Sequence, residues 1–209
     1  MPRYITEFIG TFFLVLVIAL TGDPLVIGAV LMVMVFAGGH ISGAHYNPAV
    51  TLALLIRKKI SAGETLVYIG SQLAGALAAA LVFSLFEEPA VAATQVLDTP
   101  KALLAEVFGT FALAYVVLNV ATARGNAGNS FYGLAIGFTV FAMASAFGSY
   151  SGGAFNPAVA VGASVLKVFA WKNFWIYLVG CFGGAAIAAV AFLFLNREDK
   201  PVPPLPREN

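Results

Sequence analysis

Long apolar stretches alternate with short polar joints along nearly the whole chain. Six of them, near residues 4–21, 24–41, 62–86, 102–121, 130–148 and 173–196, are long enough for helices that cross a hydrocarbon core of roughly 30 Å, which takes about 20 residues each. Two further apolar segments, 48–57 and 157–169, sit between the second and third and between the fifth and sixth stretches. At about 1.5 Å of rise per residue they reach only part of the way across, so they are expected to enter and leave on one side as re-entrant half-helices. The pattern predicts an all-α membrane protein with six transmembrane helices plus two half-helices.

Composition agrees with lipid as the solvent. The 209 residues are 60% hydrophobic and only 10% charged, and the mean hydropathy is +0.91, far from a water-soluble domain. A net charge of +1 leaves no basic stripe with which to neutralise phosphates, which excludes nucleic acid as a partner. The single cysteine, Cys181, excludes an intrachain disulfide framework. No small-residue cleavage site follows the first apolar stretch, so it reads as a retained span. Arg3, Arg57, Lys58, Lys59, Arg124, Arg197, Lys200 and Arg207 fall on one side of the six-span arrangement, which the excess of basic residues assigns to the cytoplasm with both termini. Lys101, Lys167 and Lys172 fall on the other, with Asp23, Glu87, Glu88 and Asp98.

The two halves repeat one another. Glu7-Phe8-Ile9-Gly10-Thr11 matches Glu106-Val107-Phe108-Gly109-Thr110, and Ser42-Gly43-Ala44-His45-Tyr46-Asn47-Pro48-Ala49-Val50 matches Ser151-Gly152-Gly153-Ala154-Phe155-Asn156-Pro157-Ala158-Val159. Each half holds an odd number of spans, so the second inserts upside down relative to the first, and a site is expected near the midplane where the interrupted helices meet. The chain is therefore read as a single channel domain over 1–209, with a first inverted repeat at 1–88, a connecting loop at 89–101, a second repeat at 102–196 and a Pro-rich cytoplasmic tail at 197–209.

Asn47 and Asn156 each precede a Pro-Ala pair, Pro48-Ala49 and Pro157-Ala158, that opens a half-helix. An asparagine N-cap followed by proline at the first helical position is a common helix start, and one isolated copy would mean no more. Two copies in the same context point to function. With the side-chain oxygen spent on the first-turn N–H groups, each amide keeps its NH₂ as a double donor toward whatever crosses the membrane centre. Two N-termini, each worth about +0.5 elementary charge, would repel cations there. Glu7 and Glu106 lie inside apolar spans, where even an aspartate costs about 2.5 to 3.5 kcal/mol on insertion scales. They are expected to accept from backbone N–H groups of the irregular segments before Asn47 and Asn156; proton relay, or snorkelling of Glu7 to the interface, are the alternatives.

These doubled motifs, together with Gln72-Leu73-Ala74-Gly75-Ala76 in the third span, resemble the aquaporin (major intrinsic protein) family from Glu7 to Asn196. The resemblance implies one pore per protomer, a homotetramer in the cell membrane, and small neutral solutes as cargo. Exclusion of ions by half-helix dipoles and lining donors comes with the resemblance, since aquaporin-type pores are themselves the known example of it. Water-selective members close a ring with an aromatic residue, a histidine, a small residue and an arginine. The corresponding positions here are Ile27, Ala144, Gly153 and Val159, so the arginine is replaced by valine and the ring is wide and apolar. That favours glycerol, urea, ammonia, hydrogen peroxide and neutral metalloids such as arsenous acid, the last because bacterial relatives with an aliphatic residue at that place resemble arsenite-conducting types. Tyr150 or Phe155 would narrow the ring if turned into it.

His40 and His45 match pore-side and loop-support positions of the family. Cys181 reads as a small packing residue in preference to a mercury-sensitive thiol, and Gly10, Gly75, Gly109, Gly180, Gly183 and Gly184 as close helix contacts. No cofactor or metal is implied, and no nucleophile-base pair is placed for an enzyme. A water-selective channel and a structural tetramer with a closed pore are the competing functions.

Overall fold

The structure is a computed structural model that describes residues 1–87 and 97–199. Its described residues form eight α-helices: α1 Pro2–Thr21, α2 Pro24–Ser42, α3 Pro48–Ile56, α4 Ala62–Phe83, α5 Thr99–Thr122, α6 Tyr132–Ser151, α7 Pro157–Val165 and α8 Phe174–Leu195. Six are long and apolar enough to cross a membrane, and α3 and α7, at 9 residues each, are not. Most of the connecting loop at 89–101 and of the tail at 197–209 lies outside the described residues, as do Glu88, Lys200 and Arg207.

Local chemistry sets the boundaries. Proline stands at the start of α1, α2, α3, α5 and α7, where its missing N–H has no helical partner to lose. Asp23 caps α2 through Leu25 N at 2.8 Å, and Ser61 with Glu64 forms a reciprocal capping box on α4. Asp98 caps α5, which therefore begins earlier than hydrophobicity alone placed it. The Lys101 ammonium, 3.0 Å away, donates to the Asp98 carboxylate and holds its carboxyl below the usual range. Helix α4 stops at Phe83 and α7 at Val165, short of the 86 and 169 expected. After α7 the chain turns at Lys167 (φ 62°), as it does after α3 at Lys58 (φ 60°).

Packing follows a pseudo-two-fold axis. Helix α1 packs on α4 and α2 as α5 packs on α8 and α6, while α2 and α6 cross one another. Each half-helix packs on the last span of the other repeat, α3 on α8 and α7 on α4, and α3 and α7 touch. Gly28 and Gly137 mark the α2–α6 crossing: a Cβ on Gly28 would stand 2.6 Å from the Gly137 carbonyl oxygen. Gly75 gives α4 the same close approach to the Phe8 carbonyl of α1, and Gly184 repeats it against Val107. Gly183 does not share this role, for a Cβ there would meet nothing within 4 Å. Arg57, at the end of α3, is 4% exposed, with its guanidinium 4.9 Å from the centroid of the Phe192 ring, so it is a packed cation on the basic side.

Candidate functional site

The two irregular segments before α3 and α7 are held by carboxylates in mid-helix. Glu7 accepts from Ser42 Oγ (2.6 Å) and His45 N (3.0 Å) at one oxygen, and from Tyr46 N (2.7 Å) and Gln72 Nε2 (2.8 Å) at the other. Glu106 accepts from Ser151 Oγ (2.7 Å), Ala154 N (3.0 Å) and Phe155 N (2.7 Å), and from Cys181 Sγ at 3.4 Å. Both glutamates are 0% exposed, which excludes a snorkelling position for Glu7. A buried carboxylate is tolerable when its lone pairs are filled this way. The backbone it holds is strained, with Tyr46 at φ 49° and Phe155 at φ 46°, left-handed values that bulky residues adopt only when the surroundings force them. Tyr68 Oη donates to the Ser42 carbonyl (2.8 Å) and Tyr177 Oη to that of Ser151 (2.7 Å), pinning the ends of α2 and α6.

Beyond these segments the asparagines cap the half-helices. Asn47 Oδ1 accepts from Ala49 N (2.8 Å) and Asn156 Oδ1 from Ala158 N (2.9 Å), with Pro48 and Pro157 at the first helical positions. The amide NH₂ groups differ from expectation. Asn47 Nδ2 donates to the Phe155 carbonyl and Asn156 Nδ2 to the Tyr46 carbonyl, both at 2.9 Å. One N–H of each amide therefore ties the two repeats together, and one N–H of each remains for the lumen. The sequence alone points both N–H groups at solute, because a cross-repeat carbonyl is invisible until the halves are docked.

Both asparagines line a narrow central cavity of about 30 Å³, walled by apolar residues that come in two-fold pairs, such as Leu14 with Leu113 and Val50 with Val159. It is continued by two wide mouths. The mouth of about 810 Å³ on the side of the N-terminus includes Arg3, His40, Lys59, Glu64 and Arg124. The opposite mouth, about 570 Å³, has no charged residue in its lining. Ile27, Ala144, Gly153 and Val159 all line this uncharged mouth, and all but Ala144 also line the central cavity. Tyr150 is 47% exposed and lies outside that lining. The Phe155 ring is seated where a Cβ on Gly109 would be, and the Tyr46 ring fills the same notch at Gly10.

The two histidines separate. His45 lines the central cavity, with Nδ1 3.1 Å from Thr51 Oγ1 and its ring 4.9 Å from that of Tyr68. His40 is an exposed residue of the basic mouth, with no hydrogen bond to the loop among the described residues; its side chain leaves α2 before the loop begins, so it does not take the support role expected of it. Sequence reasoning missed Gln72, Tyr68 and Tyr177 as parts of the scaffold. Carrying the repeat offset past the asparagines pairs Tyr68 with Tyr177 and Gln72 with Cys181, which was the available signal. Cys181 is fully buried, and its place opposite Gln72 explains why it faces Glu106. Among the described residues no group of three or more His, Cys, Asp or Glu could hold a metal ion.

A family model described as "Major intrinsic protein" matches residues 20–192. Among curated proteins, the chain is 31% identical to "Probable aquaporin NIP4-2" of Arabidopsis thaliana, an alignment covering 96% of this chain and 76% of that one. It is 35% identical to "Glycerol uptake facilitator protein-like 6" of Lactiplantibacillus plantarum, covering 95% and 100%. Among solved structures, the aquaglyceroporin from Plasmodium falciparum superposes with a TM-score of 0.78 at 22% identity, covering 91% of this chain and 94% of that one, a likeness of fold.

Proposed function

The chain belongs to the major intrinsic protein family, and from that premise we propose that it is a passive channel for small uncharged solutes, with a filter open to solutes larger or less polar than water. The observation that carries the proposal is the ring position of Val159. It lines both the central cavity and the uncharged mouth with Ile27 and Gly153, and none of these side chains donates a hydrogen bond. A strongly hydrated solute there leaves bonds to water unreplaced, at about 1 to 3 kcal/mol for each buried group left without a partner. Weakly hydrated neutral solutes lose less. Glycerol, urea, ammonia, hydrogen peroxide and arsenous acid fit this description, and the name of the Lactiplantibacillus plantarum relative agrees with the first.

Asn47 and Asn156 supply the remaining N–H groups in the central cavity, and the N-termini of α3 and α7 set a positive potential there that opposes cations. The basic mouth is the cytoplasmic one, both termini lie inside, the host membrane is the plasma or inner membrane, and four copies assemble with one pore each. The test is light scattering on proteoliposomes with water, glycerol and arsenous acid. In Val159→Arg, glycerol and arsenous acid flux are expected to fall roughly tenfold or more, about 1.4 kcal/mol of added barrier, while water flux persists. Equal passage of the larger solutes by native and arginine proteins would refute the ring assignment. Undiminished water flux in the Asn47→Leu, Asn156→Leu double variant would remove the midplane donors from the mechanism.

A further inference from the structure

The pseudo-two-fold axis gives each residue at one end of the central cavity a counterpart at the other, so the two necks can be compared position by position. Ile18, Ile27, Gly153 and Val159 are shared between the central cavity and the uncharged mouth, while His45, Val117 and Ile136 are shared between it and the basic mouth. Some pairs are alike: Ile27 corresponds to Ile136 and Val159 to Val50. The uncharged end is larger where Ile18 corresponds to Val117 and where Phe169 corresponds to Ile60, each lining its own mouth. The following three pairs run the other way. Val35 corresponds to Ala144, each lining its own mouth; Ala44 corresponds to Gly153, a methyl against a hydrogen; and His45, an imidazole, corresponds to Ala154.

The larger groups at the basic end are also held in place. Val35 is 2% exposed and β-branched on a helix, which leaves it essentially one rotamer. Ala44 is buried and has no side-chain torsion to move. His45 is fixed by Thr51 and Tyr68. A widened outer ring therefore does not widen the whole path.

Resting on the channel reading, we propose that the size limit for solutes is set at the neck facing the basic mouth, by Val35, Ala44 and His45, and not at the ring of Ile27, Ala144, Gly153 and Val159. Val35 and Ala44 are then specificity-determining residues.

A graded polyol series of glycerol, erythritol and xylitol, measured by light scattering on proteoliposomes, tests this. Val35→Ala and Ala44→Gly are each expected to raise the xylitol-to-glycerol permeability ratio about threefold or more, since a single methylene in a close-fitting site discriminates by at least that much. The mirror variants Ala144→Val and Gly153→Ala bring the ring only to the size of the other neck at those positions and are expected to change the ratio less than Val35→Ala or Ala44→Gly does. Gly153 sits at φ 67° as Ala44 does at φ 49°, but a Cβ on Gly153 would stand 3.3 Å from the Gly148 Cα, so the thermal midpoint of each variant is read beside its flux and only variants with a native midpoint are compared. An unchanged ratio in both Val35→Ala and Ala44→Gly, with glycerol flux intact, overturns the proposal, as does a fall of similar size in Ala144→Val. A native protein that passes neither water nor any polyol overturns the channel reading itself, a result readily told apart from the first.

Discussion

At the scale of single residues, the loops are held by a division of labour between oxygen and nitrogen. In Glu106→Gln, either orientation of the amide points NH₂ at a backbone donor, Ala154 N on one side or Phe155 N on the other. One buried N–H is then orphaned, at about 1 to 3 kcal/mol, and the Phe155 carbonyl that receives Asn47 loses its anchor. The expected outcome is a lower thermal midpoint in detergent together with reduced flux; a midpoint equal to the native value would contradict the scaffold role. Cys181→Ala removes a weak S–H donor at 3.4 Å and one buried sulfur, and is expected to lower the midpoint less than Glu106→Gln, which orphans a buried backbone donor. The sequence made both glutamates legible, because a carboxylate inside an apolar span must have a buried partner. It did not reveal that each asparagine spends one N–H on the other repeat's carbonyl, since that bond joins residues more than a hundred positions apart and no local periodicity records it.

At the scale of elements, hydrophobic run length found every span and both half-helices, and the misses were at ends decided by other chemistry. Asp98 extended α5 by capping it, and Lys167 shortened α7 by turning the chain at positive φ. Glycine was only partly readable. Gly75 and Gly184 do face a neighbouring helix backbone, whereas Gly183, one position away from Gly184, does not; which glycine faces a partner depends on helix rotation, fixed by packing in three dimensions. The α2–α6 crossing is the sharpest case. Gly28→Ala would drive a methyl against the Gly137 carbonyl and the Phe141 Cβ, 2.6 and 2.8 Å from its position. With backbone on one side there is no flexible side chain to yield, and overpacking of this kind costs about 1 to 3 kcal/mol. Thermal unfolding followed by tryptophan fluorescence is expected to show a lower midpoint for Gly28→Ala, and an equal or slightly higher one for Gly63→Ala, where a Cβ meets nothing within 4 Å and alanine is the better helix former.

At the scale of the whole molecule, the two mouths are built from related segments yet differ in charge. One includes Arg3, Lys59 and Arg124 against the single acid Glu64, which Arg3 meets at 3.3 Å; the other has no charged residue in its lining. The fold's internal symmetry does not require this difference. On the proposed orientation, insertion does, because basic residues near the ends of spans are retained on the cytoplasmic side, and the charge asymmetry would then orient a repeat pair that is otherwise close to symmetrical. The claim is open to direct labelling, since the native chain has one cysteine and it is fully buried, leaving a silent background. Lys58 and Lys172 are exposed near opposite faces. In intact cells, a membrane-impermeant maleimide is expected to label Lys172→Cys and to reach Lys58→Cys only after permeabilisation. The reverse pattern would turn the channel over in the membrane, place the basic mouth outside, and make the neck of Val35, Ala44 and His45 the first barrier met by an entering solute instead of the last.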